Sequence, residues 1–314
     1  MGWRLSFKEI GHLEPGDAFG DWLAGVLADR VPERCSEVRV YRVEPASHVV
    51  CRYEFVDSAF SVIGKFFGVP TGARTRYDAD AAAENELRRL RRVSGRIRVP
   101  RAFATSSRFH SVLVTEYVPG RTLRELLEAG TSLYQPLTGV AHLLRRLHDG
   151  TRTSFNRERD FAYFHAVLDQ NALPTDRRER FDRLLGEWWH GGRIGPDAGC
   201  TVHGDATPGN YLFDGGICAI DFEGARDHAH PVRDLGILAS EIRASPGSAS
   251  TAEDYIGHLL WHYSNGEEEF RRHTAVFPFF MALGYLRIAR LPWRAAERDR
   301  LLAEAEACLA AIHR

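Results

Sequence analysis

Three oxygen-bearing side chains follow one another closely in the segment 201–223 and form the clearest chemical pattern of the chain. Asn210 comes five residues after Asp205, and Asp221 ends a short apolar run. Phosphoryl transfer from a nucleotide needs a carboxylate that orients or deprotonates the attacking hydroxyl. It also needs an amide oxygen and a second carboxylate to hold Mg²⁺ on the phosphates. The pattern therefore predicts Asp205 as the catalytic residue and Asn210 and Asp221 as Mg²⁺ ligands.

The spacing of these residues matches that of a known catalytic loop. His203, Asp205 and Asn210 give the order His-x-Asp-x-x-x-x-Asn, which kinases carry in their catalytic loop. Asp221-Phe222-Glu223 follows where kinases have Asp-Phe-Gly. The carboxylate after an apolar strand makes the match more specific than the loop residues alone.

Composition sets limits on the class of protein. With 314 residues and 44% hydrophobic content, the chain can bury the cores of two lobes. Forty-one Lys and Arg against 42 Asp and Glu give no basic excess for nucleic acid. Five widely spaced cysteines favour neither a disulfide framework nor a zinc site. No apolar run could span a bilayer, so we expect a soluble, cytoplasmic monomer or weak homodimer without nucleic-acid or membrane partners.

Lys65 is one of only two lysines among 41 basic residues, the other being Lys8. It lies in a strand-like run, from which a compact ammonium can reach phosphate oxygens. This predicts a ligand of the nucleotide phosphates, with an ordinary exposed lysine as the alternative. The following helical pattern carries Glu84 and Glu86, and either could form the Lys–Glu ion pair of kinase-type sites.

Hydrophobic periodicity predicts the elements that position these residues. The first third reads as a helix over 17–31 closed by Pro32, strands over 37–44, 48–55, 59–67 and 110–117, and a helix over 78–93. Val118-Pro119-Gly120 then predicts a hinge, where an adenine would bond to the backbone of Thr115, Glu116 and Tyr117, with a simple strand-to-helix loop as the alternative. Beyond it the predicted helices are 122–128, 133–148, 157–168, 176–190, 232–243, 252–264, 268–289 and 294–312, with Pro278 and Pro292 bending or dividing the last two.

These elements predict an α+β, bilobal fold. A small antiparallel β-sheet with one helix forms the N-terminal nucleotide-binding lobe, residues 1–114. A hinge over 115–120 leads into a larger, mainly helical catalytic and substrate-binding lobe over 121–314.

The chain from Lys65 onward resembles the aminoglycoside phosphotransferase and choline kinase family. The resemblance rests on His203-Gly204-Asp205 with Asn210, on Ile220-Asp221-Phe222-Glu223 and on Asp234-Leu235. It implies a protein-kinase-like fold, Mg²⁺, and ATP or GTP as co-substrate. The implied roles are Asp205 as catalytic group, Asn210 and Asp221 on Mg²⁺, Lys65 on the phosphates with Glu86 as its partner, and His203 and Asp234 as structural support.

Two departures from kinase patterns bear on the substrates. The turn 44–48 replaces a Gly-rich phosphate loop, and Ser47 could touch the β-phosphate there. Gly204 stands where protein kinases carry Arg, and only ten residues separate Glu223 from Asp234, which leaves no activation segment. The predicted acceptor is therefore a small-molecule hydroxyl.

Which small molecule is phosphorylated stays open between three residue sets. A polycationic acceptor would need carboxylates, a quaternary amine would need an aromatic cage, and an anionic acceptor would need arginines. Arg-rich, Lys-poor usage is associated with GC-rich genomes, in which antibiotic-modifying enzymes are common. We expect an antibiotic or related metabolite and a role in antibiotic resistance. A sugar or amino-alcohol kinase and a non-catalytic pseudokinase are the alternatives. The three sets are Glu223, Asp227, Glu241 and 267–269; Trp188, Trp189, Trp261 and Tyr263; and Arg287, Arg290 and Arg294.

Overall fold

The computed structural model describes residues 6–31, 37–58, 60–69, 77–195, 198–246 and 251–313. The chain forms two compact units, Met1–Gly120 with Cys218–Glu223, and Arg121–Ile217 with Gly224–Arg314. Residues 218–223 thus belong to the first unit, although the sequence-based limits group them with the C-terminal lobe. The predicted lobe and hinge limits remain a proposal. Pro32, Cys35 and Ala59 lie outside the described residues.

A six-stranded antiparallel sheet forms most of the first unit. Alternation along its strands places one face in the core, as in the third strand, where Cys51, Tyr53 and Phe55 are buried. The strands lie in the order β1-β2-β3-β4-β6-β5. Their bounds are β1 Ser6–His12, β2 Val38–Glu44, β3 Val49–Phe55, β4 Phe60–Phe66, β5 Ala102–Ser106 and β6 Val112–Glu116.

Two capped helices complete this unit. Helix α1, Ala18–Val26, begins at Asp17, whose carboxylate accepts from the first backbone N–H groups. Helix α2, Ala79–Val93, begins in the same way at Asp78. Its buried residues Ala83, Glu86, Leu90 and Val93 recur at helical spacing. The sequence therefore places a carboxylate on the buried face of α2.

The second unit consists mainly of eight helices within the described residues. Helix α7 is almost wholly buried and packs along α9. At their crossing, a Cβ added to Gly236 would lie 2.5 Å from the backbone of Phe280, so only glycine permits this approach. The helices are α3 Leu123–Glu128, α4 Tyr134–Gly150, α5 Arg157–Gln170, α6 Thr175–His190, α7 Val232–Arg243, α8 Ala252–Tyr263, α9 Glu267–Ala289 and α10 Arg298–Ala310.

Short strands frame the segment that contains Asp205. β9 lies between β8 and β12 in one small sheet, and β10 pairs with β7 in another. The loop 203–210 therefore leaves one sheet and enters the other. The bounds are β7 Arg121–Thr122, β8 Thr153–Ser154, β9 Ala198–Val202, β10 Tyr211–Phe213, β11 Ile217–Ala219 and β12 Arg226–Ala229.

Several element predictions were wrong in detail. β1 was missed because its side chains are mostly exposed, so it lacks the alternation of a half-buried strand. The short strands after Gly120 were missed because two to five residues carry too little pattern. Helix α1 ends at Val26 and continues as a turn, so it does not reach Val31. Of the two effects predicted for Pro278, bending or dividing the helix, division does not occur, because α9 continues through it with most residues from Val276 to Ala289 buried.

Within the described part of the chain, no single helix has the length and apolarity needed to cross a membrane. The bent pair of α9 and Pro292–Ala310 meets that test by length and composition only.

Candidate functional site

The ammonium of Lys65 lies among three carboxylates in the first unit. β4 carries Lys65, and its Nζ is 2.9 Å from Glu86 Oε2, 2.8 Å from Asp221 Oδ1 and 3.2 Å from Glu223 Oε2. The Lys65 side chain is only 13% exposed. Of the two helical carboxylates left open by the sequence, Glu86 is therefore the one in contact with Lys65, whereas Glu84 is exposed.

Burial and neighbouring charges shift the pKa values of Lys65 and Glu86. Burial lowers the pKa of Lys65, but Asp221, Glu86 and Glu223 together outweigh it, so the pKa lies well above its usual value. Burial raises the pKa of Glu86, and the neighbouring carboxylates raise it further, despite the opposing effect of Lys65. Three carboxylates thus share the Lys65 ammonium, and a bound cation would relieve the repulsion between them.

The same carboxylates fit a divalent cation. One oxygen each of Glu86, Asp221 and Glu223 lie within 4.8 Å of one another, the only such group of His, Cys, Asp or Glu found among the described residues. Carboxylate oxygens are the ligands that Mg²⁺ prefers. Asp221 has a φ of 63°, a left-handed conformation that is uncommon outside glycine and often marks functional positions.

Two residues that the sequence analysis did not identify hold Glu223 in place. His48 Nε2 lies 2.8 Å from Glu223 Oε2, and Arg89 Nη1 donates to the Glu223 carbonyl oxygen at 2.7 Å. His48 is buried and its ring packs against Phe67. His48 is 175 residues and Arg89 is 134 residues from Glu223 in the sequence, so no local pattern could reveal these contacts.

The predicted adenine-binding backbone has other partners. The N–H of Glu116 donates to Arg101 O at 2.8 Å, and the N–H of Tyr117 donates to Ser61 O at 3.2 Å. Thr115 and Glu116 end β6, which lies between β4 and β5, so these bonds continue its pairing with the two neighbouring strands. Neither N–H can therefore serve an adenine in this conformation, and a contact with the base would fall to carbonyl groups or to neighbouring residues.

Ser47, the predicted β-phosphate contact, is exposed in the turn between β2 and β3. Its neighbour His48 points inward to Glu223, as described above. Ser47 as a phosphate ligand stays a prediction.

In the second unit, both carboxylate oxygens of Asp205 are held. Asn210 Nδ2 donates to Asp205 Oδ2 at 3.1 Å and to its carbonyl oxygen at 2.8 Å. Arg287, on α9, pairs with Asp205 Oδ1 and donates to Gly204 O at 2.7 Å. Because the Asn210 nitrogen is used in this way, its amide oxygen is the atom suited to a metal. The sequence had placed Arg287 only in an acceptor-binding set.

Asp234 braces the loop from α7. Its fully buried carboxylate accepts from the backbone N–H groups of His203 at 2.7 Å and Gly204 at 2.9 Å, and lies 3.1 Å from His148 Nε2. Burial raises the pKa of Asp234, but His148 and the other donors outweigh this effect, and the net pKa is lowered.

The loop also requires glycine at its turn. Gly204 has a φ of 76°, and a Cβ there would overlap the carbonyl oxygen of Gly224. His203 is fully buried, and its Nδ1 accepts from the backbone N–H of Asp205 at 3.4 Å. Asp205 therefore projects from a rigid turn.

The carboxylate set suggested for a polycationic acceptor is largely paired. Glu223 contacts Lys65 as described, Asp227 accepts from Thr201 Oγ1 at 2.6 Å, and Glu241 lies 3.4 Å from Arg124. Glu267 and Glu269 pair with Arg271 and Arg145. Each of these five carboxylates thus has a basic or hydroxyl partner.

The aromatic set does not form a cage. Trp188 is fully buried, and its Nε1 donates to Leu309 O at 2.8 Å. Tyr263 is buried against His148, and Trp261 is 53% exposed. Of the three sets, only the arginines include a residue, Arg287, that touches Asp205.

Comparisons with known proteins agree with this geometry. A family model described as a phosphotransferase enzyme family, APH, matches residues 36–273. No curated protein sequence matches the chain at a significant level.

Solved structures show the same fold at low identity. A Plasmodium vivax ethanolamine kinase is similar with a TM-score of 0.60 and 14% identity, over 96% of this chain and 89% of its own. The amicoumacin kinase hAmiN, solved with AMP-PNP, Ca²⁺ and Ami, has a TM-score of 0.59 and 19% identity, over 93% of both chains. The gentamicin complex of APH(2″)-IIa has a TM-score of 0.57 and 14% identity, over 95% of this chain and 97% of its own. The predicted α+β, kinase-like fold class is confirmed.

Proposed function

Since the chain belongs to the APH phosphotransferase enzyme family and is a small-molecule phosphotransferase, we propose that it transfers the γ-phosphate of ATP (or GTP) to a hydroxyl of an antibiotic or related metabolite, with Mg²⁺. The sequence-based predictions of family and enzyme class are confirmed by this match. The observation that carries the proposed reaction is Asp205, whose two carboxylate oxygens are both fixed in a braced loop.

Asp205 is proposed to position the acceptor. Its Oδ1 pairs with Arg287 and its Oδ2 accepts from Asn210, yet an ionised carboxylate has further lone pairs for a hydroxyl. The acceptor oxygen forms its bond to the γ-phosphorus while the bond to the β-phosphate oxygen breaks, and the nucleoside diphosphate leaves. The hydroxyl proton passes to Asp205 or to water, because a loose transition state asks for orientation more than for a strong base.

Lys65 is proposed to bind the nucleotide phosphates. It emerges from β4 as a cation surrounded by Glu86, Asp221 and Glu223. A nucleotide phosphate would compete with these carboxylates for the ammonium, while Glu86 on the rigid helix α2 keeps it oriented.

The residues proposed for Mg²⁺ are Asn210 through its amide oxygen and Asp221 through its carboxylate. Glu86 and Glu223 supply further oxygens near Asp221. When bound, the ion would neutralise charge on the transferred phosphoryl group.

The acceptor class is supported by the structural relatives. Their names refer to ethanolamine, amicoumacin and gentamicin, all small molecules that carry hydroxyl groups. The absence of room for an activation segment between Glu223 and Asp234 points the same way.

The test is Asp205→Asn, assayed for nucleotide binding by thermal shift with Mg·ATP and for product by mass spectrometry across aminoglycosides, nucleoside antibiotics, sugars and amino alcohols. We expect Mg·ATP binding to survive and turnover to fall by about 10²-fold or more. Asp176→Asn, at an exposed position on α6, is the control and keeps full turnover.

Unchanged turnover in Asp205→Asn would show that Asp205 does not position the acceptor hydroxyl. Nucleotide binding without any product would indicate a pseudokinase.

A further inference from the structure

Three histidines lie side by side in the second unit, where α4 packs against α8. His258 and His262 are one turn apart on α8, and their ring centroids are 4.2 Å apart. His142, on α4, has its ring centroid 6.1 Å from that of His262. The sequence shows only the pair on α8, because the third histidine arrives through the packing of the two helices. We call His142, His258 and His262 the histidine triad.

The ring separations suit ligands of a single metal ion. Zinc lies about 2.0 to 2.1 Å from an imidazole nitrogen, so two rings on a tetrahedral ion have centroids about 5 Å apart. The observed separations of 4.2 and 6.1 Å lie about 1 Å to either side of that value. Three ligands from two helices also leave the fourth tetrahedral position open for water.

Two of the three rings are free to turn. In this structure the triad does not bring one nitrogen of each ring within 4.8 Å of the others. Neither His142 nor His262 makes a hydrogen bond or ion pair with any residue that the structure describes, and His142 is exposed. The χ2 angle of histidine has broad wells, so these rings rotate at little cost. A metal ion can therefore gather the nitrogens by turning these two rings.

The third ring, His258, is already held in the form that a metal needs. Its Nε2 lies 2.9 Å from Tyr134 O and 2.7 Å from Thr138 Oγ1. A carbonyl oxygen can only accept, so Nε2 carries the proton and Nδ1 of the neutral ring keeps its lone pair. Metal-binding histidines commonly donate their other N–H to a carbonyl group, which fixes the tautomer and the ring orientation. Tyr134 O and Thr138 would therefore support His258 as a ligand through Nδ1.

The chemistry of the histidine triad differs from that of the carboxylates around Lys65. Carboxylate oxygens suit Mg²⁺, whereas imidazole nitrogens suit Zn²⁺, Cu²⁺ and Ni²⁺. An imidazole is mostly neutral above pH 7 and then offers a nitrogen lone pair. A bound ion can therefore be assigned to one group or the other by its identity and by competition with Mg²⁺.

We propose that the histidine triad binds one divalent transition-metal ion of the zinc class and so joins α8 to α4. One nitrogen each of His142 and His262 and the Nδ1 of His258 supply the ligands. The site is separate from the proposed phosphotransfer, in which none of these histidines takes part. Because the ligands come from two helices that separate on unfolding, the bound ion stabilises the folded chain.

The test uses Zn²⁺ as the probe on protein that has been freed of metal with EDTA and desalted. Calorimetry measures zinc binding in an excess of Mg²⁺, which competes for the carboxylates near Lys65. The proteins compared are the wild type, His142→Gln, His258→Gln and His262→Gln. His190→Gln, at an exposed position at the end of α6, is the matched control. Melting temperatures in EDTA verify that every variant is folded.

We expect one Zn²⁺ to bind the wild type, with about a tenfold or greater loss of affinity in each triad variant and none in His190→Gln. Zinc should raise the melting temperature of the wild type, and raise that of His142→Gln less, because the remaining ligands lie on one helix. The visible absorption of bound Co²⁺ should also change in His142→Gln, since water replaces one nitrogen ligand.

Equal zinc affinity in the wild type and His142→Gln would overturn the proposal, because the ion would then need only the pair on α8. Absence of zinc binding to the wild type, displacement of zinc by Mg²⁺, or an equal loss in His190→Gln would also overturn it. His258→Gln removes the bond to Tyr134 O and can lower the stability of the chain. His142→Gln and His262→Gln lose no hydrogen bond to the described residues, so they still decide the outcome.

Discussion

At the scale of single residues, the ammonium of Lys65 is shared by three carboxylates. Its ammonium is the cation common to Glu86, Asp221 and Glu223, whose oxygens are close enough to share one metal ion. We therefore expect the ammonium and Mg²⁺ to compete for the same oxygens in the nucleotide-free protein.

Lys65→Met should increase the affinity of the nucleotide-free protein for Mg²⁺, because the three carboxylates then lose the ammonium that they share. We expect a lower melting temperature in EDTA than for the wild type, and a larger rise on adding Mg²⁺. Lys8→Met, on the exposed strand β1, changes the same residue type without this effect. An equal response to Mg²⁺ in the wild type and both variants would exclude the three carboxylates as a metal site.

Sequence reasoning was effective where the contacts are local. Asp205 and Asn210 are five residues apart, and the loop spacing was enough to predict that they act together. Arg287 is 82 residues from Asp205, and His48 is 175 from Glu223. Such pairs depend on how helices and strands pack. A single sequence does not encode that packing in any short pattern.

At the scale of elements, the crossing of α7 and α9 sets the position of the Asp205 loop. Gly236→Ala would push a methyl group into the backbone of Phe280, and we expect a loss of about 1 to 3 kcal/mol in the free energy of unfolding. Turnover should fall further than stability explains, since α9 carries Arg287. Urea denaturation and steady-state assays measure both. Gly257→Ala, where a Cβ meets nothing within 4 Å, should instead be neutral or stabilising.

Asp234 connects α7 to the same loop through the N–H groups of His203 and Gly204. Asp234→Asn should cost about 2 to 5 kcal/mol of unfolding free energy at pH 7, because one N–H loses its acceptor.

The pKa of Asp234 is lowered from 3.8, so the stability it contributes is present above about pH 4 and is lost as the pH falls through the folded-state value. Urea titrations should therefore give a constant difference between wild type and Asp234→Asn from pH 7 to about pH 5. That difference should narrow only below about pH 4. A difference that already disappears at pH 6 would contradict this role.

At the scale of the whole molecule, we expect the buried, neutral His230 to make the free energy of unfolding sensitive to mild acid. Burial lowers the pKa of His230 from 6.5 to about 3, and its ring stacks on Phe280 at 4.9 Å. The unfolded chain binds the proton first, so stability is complete above pH 6.5 and falls as the pH drops towards 3.

By pH 5 this one histidine lowers the free energy of unfolding by about 2 kcal/mol. His230→Asn, which keeps an acceptor for the Val232 N–H, should flatten the decline in unfolding free energy between pH 7 and 5 by about that amount. His190→Asn, exposed at the end of α6, should retain the wild-type slope. Parallel curves for wild type and His230→Asn would assign the acid sensitivity to other groups.

The crossing of α7 and α9 also determines where substitutions can disturb the Asp205 loop. The Asp205 loop accepts contacts from Asp234 on α7 and from Arg287 on α9, so we expect a rotation of one helix against the other to displace the Asp205 carboxylate. We therefore expect variants that stay folded but lose activity to concentrate where α7 packs against α9, and an unbiased mutational screen would test this.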